Sequence, residues 1–294
     1  MRVEYVVVSV PSLKGTPSED AYLVDGEGGG KPFFAAIADG HGEEVDERGD
    51  HFERSQTVAR FSGRLVGSLH ERFVQFPDPT YLPDIFDVTA QDLDGEFRAL
   101  TERQHLIASL RVGAVASCVT VVDGRIHLAQ TGDCRFYAAS DSPRGFIQLS
   151  RDHDCNHPDE LARLQPILTQ GKFVIWPPFL DESSPPVTRK RRLSYYVGEN
   201  VVAGILPTRT FGDWRYHPAV IHTPEVNSFE LAAVPEGTVF ALCSDGGNRY
   251  VEHVLGPVAG HSHEIPLSAL AEATKTRIDI PGDDVTIIYF RVYH

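Results

Sequence analysis

The chain has 294 residues, 41% of them apolar and 23% charged, with a net charge of −14 at pH 7. Such a composition supports a sizeable core and excludes wholesale disorder. The acidic balance argues against nucleic-acid backbone binding, which depends on Lys and Arg, and no apolar stretch approaches the roughly 20 residues of a membrane span.

In chain order, residues 2–10 read as a β-branched strand. Strands at 21–25 and 33–39 follow, joined by a glycine-rich turn at 26–30. The period then changes: Val58, Phe61, Leu65, Leu69 and Phe73 line one face of an amphipathic helix, which Pro77, Pro79 and Pro83 stop. A second helix is expected over about 85–110, with Leu93, Phe97 and Leu100 on one face. Strands return at 114–122, 125–131 and 135–139, the first two joined by the hairpin dipeptide of Asp123 and Gly124. A short helix is expected at 158–164. Residues 165–205 read as irregular, rich in proline and carrying the basic run Arg189-Lys190-Arg191-Arg192. A strand at 238–244, helices near 247–255 and 266–276, and a strand at 285–293 complete the chain. Hairpins segregated from helices predict an α+β layered fold. The whole of 1–294 is expected to be one domain, with 165–205 as a flap-like insert.

Cys118, Cys134, Cys155 and Cys243 form no CxxC pair and are expected as reduced, buried thiols. With no basic region followed by an apolar one at the N-terminus, no signal peptide is visible, and the expected location is cytoplasmic. A monomer is expected, with no nucleic-acid or membrane partner.

Acidic residues recur where the expected strands begin or end: Glu19 and Asp20, Asp39, Asp133, Asp245, and Asp283 with Asp284. Any one of them alone reads as a turn former. Several such sites can converge on one cleft, and carboxylates gathered without neutralising Lys or Arg need cations. Hard oxygen donors favour Mg²⁺, Mn²⁺ or Ca²⁺ over zinc or copper. Two such ions can bind a phosphoryl group and activate water for in-line attack. His41, two residues after Asp39, could protonate a leaving oxygen, although a lone histidine in a turn needs no such role. His261 and His263 read as surface-loop residues, and Trp176 and Trp214 as packing or flap residues.

The order of these motifs resembles the PPM (PP2C) family of metal-dependent protein serine/threonine phosphatases. Glu19-Asp20 is similar to the family's ED, Asp39-Gly40-His41-Gly42 to DGHG, and Gly132-Asp133-Cys134-Arg135 to GDSR. Asp152-His153 with Glu160 and Arg163 resembles its DH…E..R segment. Thr208 to Asp213 resembles SRALGD, Ser244-Asp245-Gly246 SDG, and Asp283-Asp284-Val285-Thr286 DN(I/V)T. The resemblance runs from about residue 5 to 292. It implies a central sandwich of two antiparallel sheets flanked by helix pairs, and hydrolysis of phosphoserine or phosphothreonine by direct attack of a metal-bound water. Its alternatives are a catalytically silent phosphoprotein-binding or scaffold protein and a small-metabolite metallophosphatase.

By the same resemblance, Asp39 bridges two Mg²⁺ or Mn²⁺ ions. Asp245 and Asp283 hold the first ion and the Gly40 carbonyl the second, while Glu19 and Asp20 act through waters. Asp133 joins Asp245 in a third, weaker site, and His41 is the general acid. The family's phosphate-binding arginine is replaced by Gly15, with Lys14 the nearest cation. Glu43 ends the DGHG motif where glycine is usual, and Asp284 replaces asparagine, leaving Asp283 as the expected ligand. The run Arg189-Lys190-Arg191-Arg192 is expected to gather phosphorylated or acidic substrate segments.

Overall fold

The computed structural model describes residues 2–12, 17–26, 32–45, 51–52, 56–98, 111–140, 142, 144–176, 191–197, 200–257, 263–279 and 282–293. Two antiparallel sheets face each other. One has the order β1 (Arg2–Val10), β15 (Val285–Tyr293), β14 (Val239–Cys243), β7 (Arg135–Ala139), β8 (Phe146–Gln148). The other runs β13 (Glu225–Glu230), β6 (Arg125–Gln130), β5 (Arg111–Val122), β3 (Phe33–Val45), β2 (Ala21–Asp25). In that second sheet β4 (His51–Phe52) pairs with β3, and β12 (Phe211–Gly212) pairs with β5.

The layers follow from side-chain alternation. Residues 33–38 are all buried, so β3 is covered on both faces. Phe33, Ala35 and Ile37 face the other sheet, where they meet the stacked rings of Phe136, Phe240 and Phe290. Phe34, Ala36 and Ala38 face α1 (Gln56–Gln75) and α2 (Leu82–Leu93). The outer face of the first sheet is covered by two further helices, at Asn248–Leu255 and Leu267–Lys275. Each large side chain fully buried in these layers stabilises by about 1.5–3 kcal/mol. The sandwich with a helix pair on each face is thus present as expected, and all four cysteines are buried free thiols. No described helix is long and apolar enough to cross a membrane.

Three expectations need correction. The strand from residue 33 does not end at Asp39. It runs on to Val45, because β5 begins at Arg111 and pairs with it through Glu43. The Asp-Gly pair that suggested a turn lies inside a strand. The described parts of the segment 165–205, residues 165–176, 191–197 and 200–205, are not irregular either; 177–190 and 198–199 lie outside the described residues. Helix α3 (Pro158–Leu168) extends into the segment despite Pro166, and three strands follow: β9 (Phe173–Trp176), β10 (Arg192–Val197) and β11 (Asn200–Ile205). Phe173, Ile175 and Leu193 pack with Cys155, Leu164 and Tyr216 in a fourth apolar cluster, which holds this small sheet. Finally, the second helix starts at Leu82, with Pro83 in its first turn, and becomes a π-helical turn at 94–98; residues 99–110 lie outside the described residues. The remaining helices are α4 (Asn248–Leu255) and α5 (Leu267–Lys275).

Candidate active site

Beyond Ala38 the alternation along β3 sorts the motif. Asp39 and His41 continue the face that looks into the sandwich, and Gly40 continues the face covered by α1. A Cβ on Gly40 would meet the Glu19 carbonyl at 2.6 Å and the Val58 side chain at 2.8 Å, so only glycine fits there.

Three other elements bring carboxylates to the same end of the sandwich. Asp20 precedes β2, whose Ala21 pairs with Ala38, and so stands across from Asp39. Asp133 sits in the turn between β6 and β7 and is buried. Asp245 follows β14, and its backbone N–H donates to Asp39 Oδ2 at 3.1 Å. The end of β14 is tied to β15 because Ser244 N–H donates to the Thr286 carbonyl at 3.0 Å and Thr286 N–H to Ser244 Oγ at 3.1 Å. That tie sets Asp245 beside Asp283, and the two line one cavity.

The electrostatics are those of crowded acids. Burial pushes Asp39 well above the usual carboxylate range, and the charges of Asp20, Asp245, Asp133 and Asp283 push it further. Asp20 is raised to about 7, first by burial; hydrogen bonds from Ser244 and Thr286 oppose this, while Asp284 and Asp245 add to it. Asp20 Oδ2 is buried with no hydrogen-bond partner among the described residues. Orphaned, mutually repelling, all-oxygen groups are what a hard divalent cation satisfies. No three acidic, His or Cys side chains among the described residues form a ready-made cage. The all-oxygen donor set fits an ion such as Mg²⁺, which takes oxygen ligands, keeps several waters and uses few protein ligands.

Asp284 has another job. It is buried, its Oδ1 accepts from Ser12 N–H at 2.7 Å and its Oδ2 from Glu19 N–H at 2.7 Å. Its charge is spent pinning the loop that carries Glu19 and Asp20 onto the start of β15. It thus anchors the loop, which leaves Asp283 as the exposed carboxylate of the pair.

His41 is partly exposed, and its Nε2 lies 2.6 Å from Asp213 Oδ2. Thr210 Oγ1 donates to that same carboxylate oxygen at 2.7 Å. Burial lowers the His41 pKa, but the charge and hydrogen bond of Asp213, aided by Asp133 and Glu19, outweigh it and hold the imidazole above its ordinary value. Asp213 closes the 208–213 motif with a left-handed backbone, φ 47°; nothing in the local sequence marks its role, and only tertiary contact reveals its partner. The contact needs Gly113. A Cβ there would overlap both the Asp213 carboxylate and His41 Nε2. Gly113→Ala should therefore part the two side chains. The expected result is a fall of the His41 pKa toward or below its ordinary value, read by NMR titration, because the charge and hydrogen bond of Asp213 are what raise it.

The 208–213 segment is anchored by Glu160. This carboxylate is 1% exposed; it accepts from Arg209 at 2.6 and 2.8 Å, from Arg163 at 2.8 and 3.1 Å, and from Thr208 at 2.7 Å. Burial alone would raise its pKa, but these bonds bring it down to about 2. Glu160→Gln leaves two arginines unpaired and should cost about 3–5 kcal/mol in urea unfolding at pH 7. Because the folded pKa is depressed, this contribution is full above the unfolded value near 4.5 and is lost as pH falls through about 2. The gap between variant and wild type should accordingly shrink at pH 3.

Of the expected phosphate binders, Arg192 opens β10 opposite Trp176 and donates to the Gly204 carbonyl at 3.0 Å. Arg191 precedes it, half-buried. Lys14, Arg189, Lys190 and His261 lie outside the described residues. Trp214 is a packing residue, edge-on to Phe61 with its indole N–H on Asp94, while Trp176 is 52% exposed on the three-stranded sheet.

A family model for Protein phosphatase 2C matches residues 53–246. No curated protein matches the sequence. Among solved structures, a sex-determining protein of C. elegans superposes with a TM-score of 0.63 at 17% identity, covering 99% of this chain and 65% of that one. PppA, a regulatory component of the T6SS in Pseudomonas aeruginosa, gives 0.60 at 16%, covering 100% and 99%. The catalytic domain of the serine/threonine phosphatase PstP, solved in complex with two manganese ions, gives 0.55 at 17%, covering 99% of both chains, and the Mycobacterium tuberculosis serine/threonine phosphatase PstP/Ppp gives 0.54 at 16%, covering 100% of both. At these identities the superpositions establish a shared fold.

Proposed function

Because the chain belongs to the protein phosphatase 2C family, we propose that it hydrolyses phosphoserine and phosphothreonine in proteins, using two Mg²⁺ or Mn²⁺ ions. The observation that carries the reading is the pairing, on one face of β3, of a carboxylate crowded by four other aspartates with an imidazole held 2.6 Å from Asp213. Asp39 would be shared by both ions, Asp245 and Asp283 would hold one, and the Gly40 carbonyl the other. Glu19 and Asp20 would act through waters, and Asp133 with Asp245 would hold a weaker third ion. When bound, such cations supply charge stabilisation for the phosphoryl group and a water acidic enough to attack near neutral pH.

The remaining chemistry belongs to side chains of this chain. Asp213 accepts a hydrogen bond from Nε2–H of His41, which sustains the imidazolium and orients it and leaves Nδ1–H to protonate the departing serine or threonine oxygen. Asp284 keeps the Glu19–Asp20 loop on the start of β15, and Gly40 lets that loop and α1 close on β3, so that the acids stay gathered. The basic run Arg189-Lys190-Arg191-Arg192, whose last residue opens β10, would draw phosphorylated or acidic segments in.

The test is turnover of a phosphothreonine peptide and an aryl phosphate by the purified chain with Mn²⁺, with Mg²⁺ and with EDTA. Turnover of both that EDTA abolishes is the expected result. Cation binding by calorimetry with no turnover of either compound would replace the enzyme by a phosphoprotein-binding module.

A further inference from the structure

Next to the carboxylates opens a cavity of about 480 Å³. Asp245 and Asp283 line it together with Arg135, Asn248, Arg249 and Glu252. Its two arginines are in different states. Arg135 grips Asp152 with two bonds of 2.9 and 2.8 Å and lies 3.6 Å from the Glu252 carboxylate, so its fork is already occupied.

Arg249 has no carboxylate partner among the described residues. Its Nη2 donates to the Tyr250 hydroxyl at 2.5 Å, and its guanidinium carbon lies 4.6 Å from the centre of the same ring. Tyr250 is itself buried, so it gives the exposed arginine a fixed rest. Arg249 also stands in the first turn of α4, where the helix dipole disfavours a cation. A guanidinium held in place there, with most of its donors uncommitted and facing a cavity that includes Asp245 and Asp283, is suited to an incoming oxyanion. Its planar fork matches two phosphoryl oxygens at once.

We propose that Arg249 binds the phosphoryl group of the substrate, and of the phosphate product, in the cavity beside Asp245 and Asp283. The assignment rests on the phosphatase reading and adds to it the residue that takes the phosphate. It also separates charge in the site: the aspartates attract cations, and one arginine lining the same cavity attracts the anion.

The experiment is calorimetric titration of inorganic phosphate into wild type, Arg249→Ala and Arg249→Lys, each with and without Mn²⁺. Mn²⁺ affinity and thermal unfolding are measured on the same samples. Arg249→Ala should weaken phosphate binding by about 10- to 100-fold, the factor of a charge-assisted hydrogen bond, with Mn²⁺ affinity and the melting temperature unchanged. Lysine should recover only part of the loss, because it keeps the charge without the fork. In parallel, kcat/KM for an aryl phosphate should fall by the same factor.

Equal phosphate affinity in wild type and Arg249→Ala would overturn the assignment, as would a wild type that binds no phosphate. A loss confined to phosphopeptides with acidic flanks would also overturn it, by moving the contact from the phosphoryl group to the peptide. Arg249-dependent phosphate binding without turnover would leave the assignment standing and remove the phosphatase reading. Turnover that survives Arg249→Ala unchanged would do the reverse.

Discussion

Asp39→Asn is expected to cut phosphate-ester hydrolysis by about 10³-fold or more while making the metal-free protein more stable. The two effects have one cause. Burial and four neighbouring aspartates disfavour the Asp39 charge, so the metal-free fold carries a repulsion that asparagine removes. Asparagine keeps a side-chain oxygen for the Asp245 N–H, so the turn after β14 keeps its tie. A gain on the order of 1 kcal/mol would raise the melting temperature in EDTA by about 2–4 °C. With Mn²⁺ the order should invert: wild type gains by mass action from each bound ion, and the variant gains much less. On the proposed reading the loss of activity follows because a carboxylate shared by two ions would hold them close enough to act on one phosphoryl group. The paired measurement is thermal unfolding in EDTA and in Mn²⁺ alongside turnover. If Mn²⁺ stabilises both proteins equally, Asp39 is not a ligand.

The second large effect concerns the leaving group. Asp213→Asn should lower kcat for a phosphothreonine peptide by about 10²-fold, and His41→Gln by at least as much, with KM little changed. Both variants should stay within a few-fold of wild type on p-nitrophenyl phosphate. A serine or threonine alkoxide is too basic to depart without a proton, whereas a nitrophenolate needs none. The substrate contrast tests the role of the pair and not merely its presence, because a loss caused by misfolding or poor cation binding would strike both substrates alike. The double variant should cost little more than His41→Gln alone, since Asp213 acts through the imidazole. Additive losses would mean that Asp213 serves something other than His41.

Much of the fold was legible along the chain. The strand at 2–10, the hairpin strand at 21–25, the helix whose face runs from Val58 to Phe73, and the final strand at 285–293 all form where periodicity places them. Each buries a pattern of period 2 or 3.6 that local residues already display. Periodicity failed in identifiable places. Phe173 to Trp176 is a four-residue apolar run whose alternation matches no face until β10 pairs with it, so the small sheet was invisible. Likewise β13 alternates half-buried and exposed residues, because it is the edge of its sheet. The continuation of β3 through Gly40 and Gly42 was hidden because Asp-Gly is a turn signal in isolation. The pairing with residues 111–114 of β5 overrides it.

The sequence by itself determined the family, the layered α+β class and the acids that crowd one end of the sandwich. Those rest on residue types in a fixed order, which local chemistry constrains: aspartates at or near strand ends, glycines where backbone approaches backbone, and apolar periods between them. The tertiary structure alone decided how the acids divide their work. It made Asp284 an anchor bonded to Ser12 and Glu19, and it set Asp213 on His41 across 172 positions of sequence. It also opened a cavity in which Arg249 stands with two of the aspartates. The reason is physical. A side chain's charge and hydrogen bonds depend on which groups approach within a few ångströms, and that is fixed by sheet register and helix packing between segments far apart in the chain.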